Sequence, residues 1–135
     1  MLRVETALPL QTLRSATPLY RMFIRDLVLS TSIGVHAYEK LARQRVRINV
    51  ELDVQQEAAG IDDDLRNVVC YDELIQAMQK LGSGPHIQLA ETMAERILEL
   101  CLADERVRRA SATVEKLDVY ENAGAVGVTM MRDNL

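Results

Sequence analysis

The chain of 135 residues has no tryptophan, only 4% aromatic residues and a formal net charge of -4, with a pI near 5.2. It offers neither a basic face nor a set of stacking rings, which argues against a nucleic-acid partner. Cysteine is equally scarce. Cys70 and Cys101 are not joined by any C-x-x-C spacing, so both are expected to be reduced thiols of a cytoplasmic protein, with no secretory leader ahead of them. Histidine is limited to His36 and His86, fifty positions apart and without H-E-x-x-H or a cysteine at ligand spacing. A catalytic zinc site is therefore not expected. Glycine-rich phosphate loops and the G-x-S-x-G elbow are missing too, which sets aside nucleotide and serine-hydrolase chemistry. Apolar runs stay well below the roughly 18 residues of a membrane helix, so no membrane partner is expected.

The length suits one domain with a real core and leaves no room for a separate cofactor domain. Residues 1–20 mix Leu8, Pro9, Leu10 and Pro18 with scattered Arg3, Glu5 and Arg14 and keep no period. Residues 1–21 are thus expected to be a flexible extension, with Met22 equally able to serve as a start, and residues 22–135 the domain. Phe23, Ile24, Leu27, Val28 and Leu29 suggest a strand from Met22 that runs to a break at Gly34. The next strand is clearer. Val46, Ile48, Val50, Leu52 and Val54 share one parity and Arg45, Arg47, Asn49, Glu51 and Asp53 the other, the period-2 pattern of a half-buried strand.

Its cover follows in the sequence. Leu74, Ile75, Met78 and Leu81 keep helical spacing up to the stop at Gly82-Ser83-Gly84-Pro85, and Leu89, Met93, Ile97, Leu100 and Cys101 predict a second helix. Two strands close the chain, one with Ala110, Ala112 and Val114 in alternation and one with Val126, Val128 and Met130. The order ββααββ predicts an α+β layer fold, a four-stranded antiparallel sheet with both helices on one face. The other face carries charge and must meet solvent or another subunit. Open edges at 22–29 or 108–117 would invite pairing with a second copy.

Several ionisable residues stand in unusual places. Lys116 shares the parity of Ala110, Ala112 and Val114, so it either snorkels at a strand end or serves as a desolvated proton-transfer group. Glu91 falls in the opening turn of the second helix, where the helix dipole alone would favour it, but Ala94 and Leu98 continue its stripe toward the core. Glu39 after Gly34-Val35-His36 reads by itself as a solvated loop acid, and Tyr71 beside Asp72 as a packing residue with its hydroxyl at the rim. His36 reads as a loop residue and His86 as a turn residue, neither with a catalytic role.

Taken together these segments resemble the dihydroneopterin aldolase family. Ile33-Gly34-Val35-His36-Ala37-Tyr38-Glu39, five residues before Gln44, is similar to the family's run into its active-site glutamate. Val69-Cys70-Tyr71 resembles the segment ending in its functional tyrosine, and Leu89-Ala90-Glu91-Thr92-Met93-Ala94-Glu95-Arg96-Ile97 the helix start that holds its pterin-binding glutamate. Lys116, with Val126-Gly127 ten and eleven positions on, looks like the catalytic lysine and the closing V-G-V strand. The likeness spans about residues 22–132 in order and spacing. One departure is Leu117, where the family commonly has proline after the lysine; leucine there also occurs in the sister dihydroneopterin triphosphate epimerases.

The resemblance implies a tunnelling fold and retro-aldol cleavage of 7,8-dihydroneopterin in folate biosynthesis, with epimerisation as a related activity. It implies Lys116, Tyr71 and Glu39 as catalytic and Glu91, Ala90 and Val69 as substrate-binding, with no metal, no cofactor and no lysine Schiff base. It also implies a site shared between subunits, with Tyr71 and the backbone near Val69 supplied by the neighbour in tetrameric rings that pair into a homo-octamer. Zinc-dependent relatives of the same fold need more histidine and cysteine than this chain has. A non-catalytic pterin-binding ring protein is the competing expectation; Lys116 and Tyr71 together argue against it.

Overall fold

A computed structural model gives the structure of residues 18–134. Six main elements follow in the expected order: β1 (Leu19–Thr31), β2 (Gln44–Gln55), α1 (Tyr71–Gly82), α2 (Ala90–Leu102), β3 (Val107–Lys116) and β4 (Val126–Asp133). The strands form one antiparallel sheet in the order β1-β2-β3-β4. Val46, Ile48, Val50, Leu52 and Val54 turn one face of β2 inward, and Ala110, Ala112 and Val114 do the same on β3; all are at most 1% exposed. Against them pack Met78 from α1 and Met93, Ala94, Ile97, Leu98 and Cys101 from α2, so both helices cover the same face, as their apolar spacing requires. Burial pushes the Cys101 thiol up to about 12, so it stays protonated. Among the described residues no helix is long and apolar enough to cross a membrane.

Two expectations need correction. The first strand begins at Leu19, and Leu19, Tyr20 and Arg21 pair with Gln55, Val54 and Asp53; these three residues belong to the sheet, while residues 1–17 of the expected extension lie outside the described residues. Arg21 Nε also donates to Asp53 Oδ1 at 3.0 Å. A chain starting at Met22 is therefore expected to melt a few degrees below one starting at Pro18 in the same calorimeter scan. The second correction concerns the edges. β3 lies inside the sheet between β2 and β4, so the open edges are β1 and β4 and not residues 108–117.

The face away from the helices carries cross-strand ion pairs, among them Arg47 with Glu115 at 2.9 Å and Arg109 with Asp133. Opposite charges on paired strands neutralise one another there and keep this side of the sheet polar. At the end of α1, the Arg43 guanidinium donates to the carbonyls of Gly82 and Ser83 at 3.0 and 3.1 Å. These bonds satisfy acceptors that a helix end leaves open, and they tie the β1–β2 connection to α1.

Candidate active site

Lys116 ends β3 on the inward face, with Val46 and Val126 as its partners on the flanking strands. Its side chain is only 16% exposed. Burying an ammonium group is costly unless it is paired, and Glu39 pairs it: Lys116 Nζ donates to Glu39 Oε2 at 2.9 Å. Glu39, read in isolation as a solvated acid, is 4% exposed. It sits in the 3-10 turn Ala37–Lys40, and its carboxylate folds back over Gly34. Gly34 has φ +131, and a Cβ on it would collide with that carboxylate. The glycine of the Ile33-Gly34-Val35 run is thus required both by its backbone conformation and by the space Glu39 takes.

Three donors converge on Glu39. Besides Lys116 these are Gln44 Nε2 at 2.9 Å on Oε2 and the His36 N–H at 3.2 Å on Oε1. Gln44 Nε2 also donates to the Ile33 carbonyl at 2.7 Å. Burial alone would raise the Glu39 pKa, but the hydrogen bonds from Lys116, Gln44 and His36, with the charge of Lys116, bring it down to about 2 from 4.5. The carboxyl is therefore ionised throughout the neutral range. Because its folded value is depressed, its contribution to stability is complete above about pH 4.5 and is lost as pH falls through about 2. Thermal melts of wild type and Glu39→Gln should accordingly differ by a constant amount above pH 5, with the gap closing on acidification toward pH 2.

Glu91 reaches the same place from the other side. It lies in the first turn of α2, is exposed, and has no hydrogen-bond or ion-pair partner among the described residues. Lys116, Glu91 and Ala90 line one open cleft of about 290 Å³ with Val35, Gln88, Leu89, Val126, Gly127 and Val128. Gly127 lets β4 run close to β3 here, since a Cβ would strike the Val114 carbonyl and the Glu115 Cα. Tyr71 and Val69 do not line this cleft. Tyr71 is 62% exposed at the start of α1, and Val69, 9% exposed, borders a larger cavity of about 800 Å³ between residues 65–70, α1 and the end of α2. That cavity is lined by none of Lys116, Glu39 and Glu91.

The residue after the lysine also has a definite role. The Leu117 N–H donates to the Arg45 carbonyl at 3.1 Å, a bond that proline could not make. Asp118 then accepts from the Arg45 backbone N–H at 3.0 Å and from its guanidinium at 2.6 Å. The β2–β3 ladder is extended past Lys116 by these bonds, which fix the backbone where it leaves the strand.

A part-buried lysine bonded to a buried carboxylate, lining one cleft with a second, unpartnered carboxylate, can move a proton and hold a flat donor pair. Comparison with known proteins supplies the family. The model of FolB, dihydroneopterin aldolase, matches residues 22–131. The chain belongs to the dihydroneopterin aldolase family. Among relatives of this aldolase family, a dihydroneopterin aldolase of Streptomyces coelicolor is 31% identical over 98 residues, 73% of this chain and 82% of its own. A dihydroneopterin triphosphate 2'-epimerase of Pseudomonas aeruginosa is 28% identical over 110 residues, 82% of this chain and 89% of its own. The crystal structure of Escherichia coli dihydroneopterin aldolase in complex with neopterin superposes with a TM-score of 0.77 at 26% identity, covering 84% of this chain and 98% of its own. The ββααββ sheet and helix pair of this aldolase-family chain are thus those of the tunnelling fold.

Gln44, His36 and His86 are site or near-site residues to which the sequence pattern assigned no role. Only Gln44 carried a signal, its place five residues after Glu39 at the start of the alternating strand.

Proposed function

We propose that the chain cleaves 7,8-dihydroneopterin by a retro-aldol reaction to 6-hydroxymethyl-7,8-dihydropterin and glycolaldehyde, as a cytoplasmic step of folate biosynthesis. The observation that carries this reading is that Lys116, paired with an ionised Glu39 behind it, lines the same cleft as the free carboxylate of Glu91. The substrate's side-chain hydroxyl gives up its proton, the carbon–carbon bond breaks, and the electrons enter the conjugated imine of the ring. A proton then returns to the enamine-like carbon. Lys116, directly or through a water, is the group that moves the proton, and Tyr71 assists at the product carbon. Glu39, ionised and bonded to Lys116, acts through it by holding the ammonium group in place. Glu91 binds the pterin ring, beside the backbone of Ala90.

Tyr71 and Val69 lie away from the cleft of their own chain, which supports their delivery by a neighbouring subunit in a homo-oligomer. The open edges β1 and β4 give such a ring its contacts. Four subunits to a ring and two rings to an octamer is the assembly proposed, and mass determination in solution tests it.

Epimerisation of the triphosphate is the second reading, favoured by Leu117 and by the likeness to the Pseudomonas epimerase. One experiment separates the readings. Purified protein is incubated with 7,8-dihydroneopterin and, in parallel, with its triphosphate, while glycolaldehyde release and side-chain epimer are followed. Glycolaldehyde from the unphosphorylated substrate supports the aldolase, epimer from the triphosphate alone supports the epimerase, and binding without either product leaves a pterin-binding ring protein.

A further inference from the structure

His86 joins the two walls of the cleft. Its Nε2 lies 2.7 Å from the Gly34 carbonyl and its Nδ1 2.6 Å from Ser32 Oγ. A carbonyl only accepts, so Nε2 must carry the hydrogen; in the neutral ring Nδ1 then accepts, and the Ser32 hydroxyl donates to it. One imidazole thus grips residues 32 and 34 on either side of Ile33. Beside it the backbones are paired as well, with Ile87 N–H on the Ser32 carbonyl and Gly34 N–H on the Ile87 carbonyl, both at 3.0 Å.

The consequence lies one residue further along each strand of this pairing. Val35 follows Gly34 into the cleft, and Gln88 follows Ile87 and leads through Leu89 and Ala90 to Glu91. Lys116 is carried by β3 and fixed by Glu39, which is held by Gln44 and the His36 N–H and has no direct bond to His86. His86 therefore governs the wall that bears Glu91 and leaves the proton-transfer pair to other bonds. We infer that His86, in its Nε2–H form, is a positioning residue that sets the distance between the Val35 wall and the Gln88–Glu91 wall, and so the affinity of the cleft for a pterin ring. This rests on the function proposed above.

The test reads binding and turnover separately. In the full chain, His86→Ala is expected to raise the Kd for 6-hydroxymethylpterin and the KM for 7,8-dihydroneopterin about tenfold, with kcat changing less than about threefold. His86→Gln, which keeps a donor for Gly34 and an acceptor for Ser32, should recover part of the loss, and Ser32→Ala should show a smaller rise than His86→Ala. Should His86→Ala fail to fold, the last two variants decide. Nitrogen-15 spectra of the wild-type imidazole are expected to show Nε2 protonated and Nδ1 as an acceptor. Unchanged pterin affinity in folded variants, an equal fall in kcat, or an Nδ1–H ring would each overturn the inference. Wild type that binds pterin yet releases no glycolaldehyde would sink the proposed reaction instead, with the binding titrations still deciding the role of His86.

Discussion

Lys116→Ala is expected to lower kcat for 7,8-dihydroneopterin by at least about a hundredfold, the usual loss when a positioned proton-transfer group is removed, while KM moves much less. The split follows from the geometry. Lys116 is part-buried at the end of β3 and its Nζ is bonded to Glu39, whereas the free carboxylate that would hold the ring belongs to α2. Removing the amine leaves the ring contact intact and strips the reaction of its proton carrier, worth at least about 2.7 kcal/mol of barrier. The same change strands an ionised Glu39 with only Gln44 and the His36 N–H as donors, so a stability loss accompanies it and folding must be checked first. Lys116→Arg separates the two effects. An arginine keeps a cation beside Glu39 but does not give up its proton in a protein, so the fold should be largely restored and turnover should not. Borohydride added with substrate is expected to trap no adduct, and chelators to leave the rate unchanged. A reduced adduct on Lys116 would place the chain among Schiff-base aldolases and overturn the mechanism.

Some of this was legible in the amino-acid order and some was not, for identifiable reasons. β2 is unbroken between Gln44 and Asp53, so its alternation maps directly onto buried and exposed faces. β1 is interrupted by a bulge between Ile24 and Leu27, where Asp26 takes φ 58 and its N–H donates to Asn49 Oδ1 at 2.8 Å. The inward set therefore passes from Met22 and Ile24 to Leu27, Leu29 and Thr31, and a single period cannot describe it. A second bulge sets Val107 opposite Val54 while Arg109 stays opposite Asp53, which hid the start of β3. Lys116 was legible because its parity with Val114 survives to the strand end. Glu39 was named by the resemblance, but its burial could not be read from its own position, because that depends on the left-handed backbone of Gly34 and on Gln44 reaching it from β2. His86 was unreadable for a related reason: its partners Ser32 and Gly34 are more than fifty positions away, and no local period records such a contact.

Glu91 is expected to anchor the pterin ring without taking part in bond breaking. A pterin presents its 2-amino group and its N3–H side by side, and one ionised carboxylate accepts both through its two oxygens. In this chain the carboxylate is uncommitted: it has no partner among the described residues and lines the cleft together with Lys116. Leu89 caps α2 without a side-chain bond, so Glu91 also sits where the helix dipole favours an anion, and that effect alone would touch stability but not pterin affinity. Glu91→Ala should raise the Kd for 6-hydroxymethylpterin by roughly thirtyfold or more, because the ring's two donors would be left without their charged acceptor in the complex. Glu91→Gln is the sharper probe. Its size barely changes, yet its NH₂ group must oppose one of the two ring donors, so affinity should fall nearly as far as in Glu91→Ala. Titration of the folded mutant protein decides between the two roles: a Kd near wild type in Glu91→Gln, with only a small shift in melting temperature, would reduce Glu91 to a helix-end charge and leave the ring to be held by other groups of the cleft.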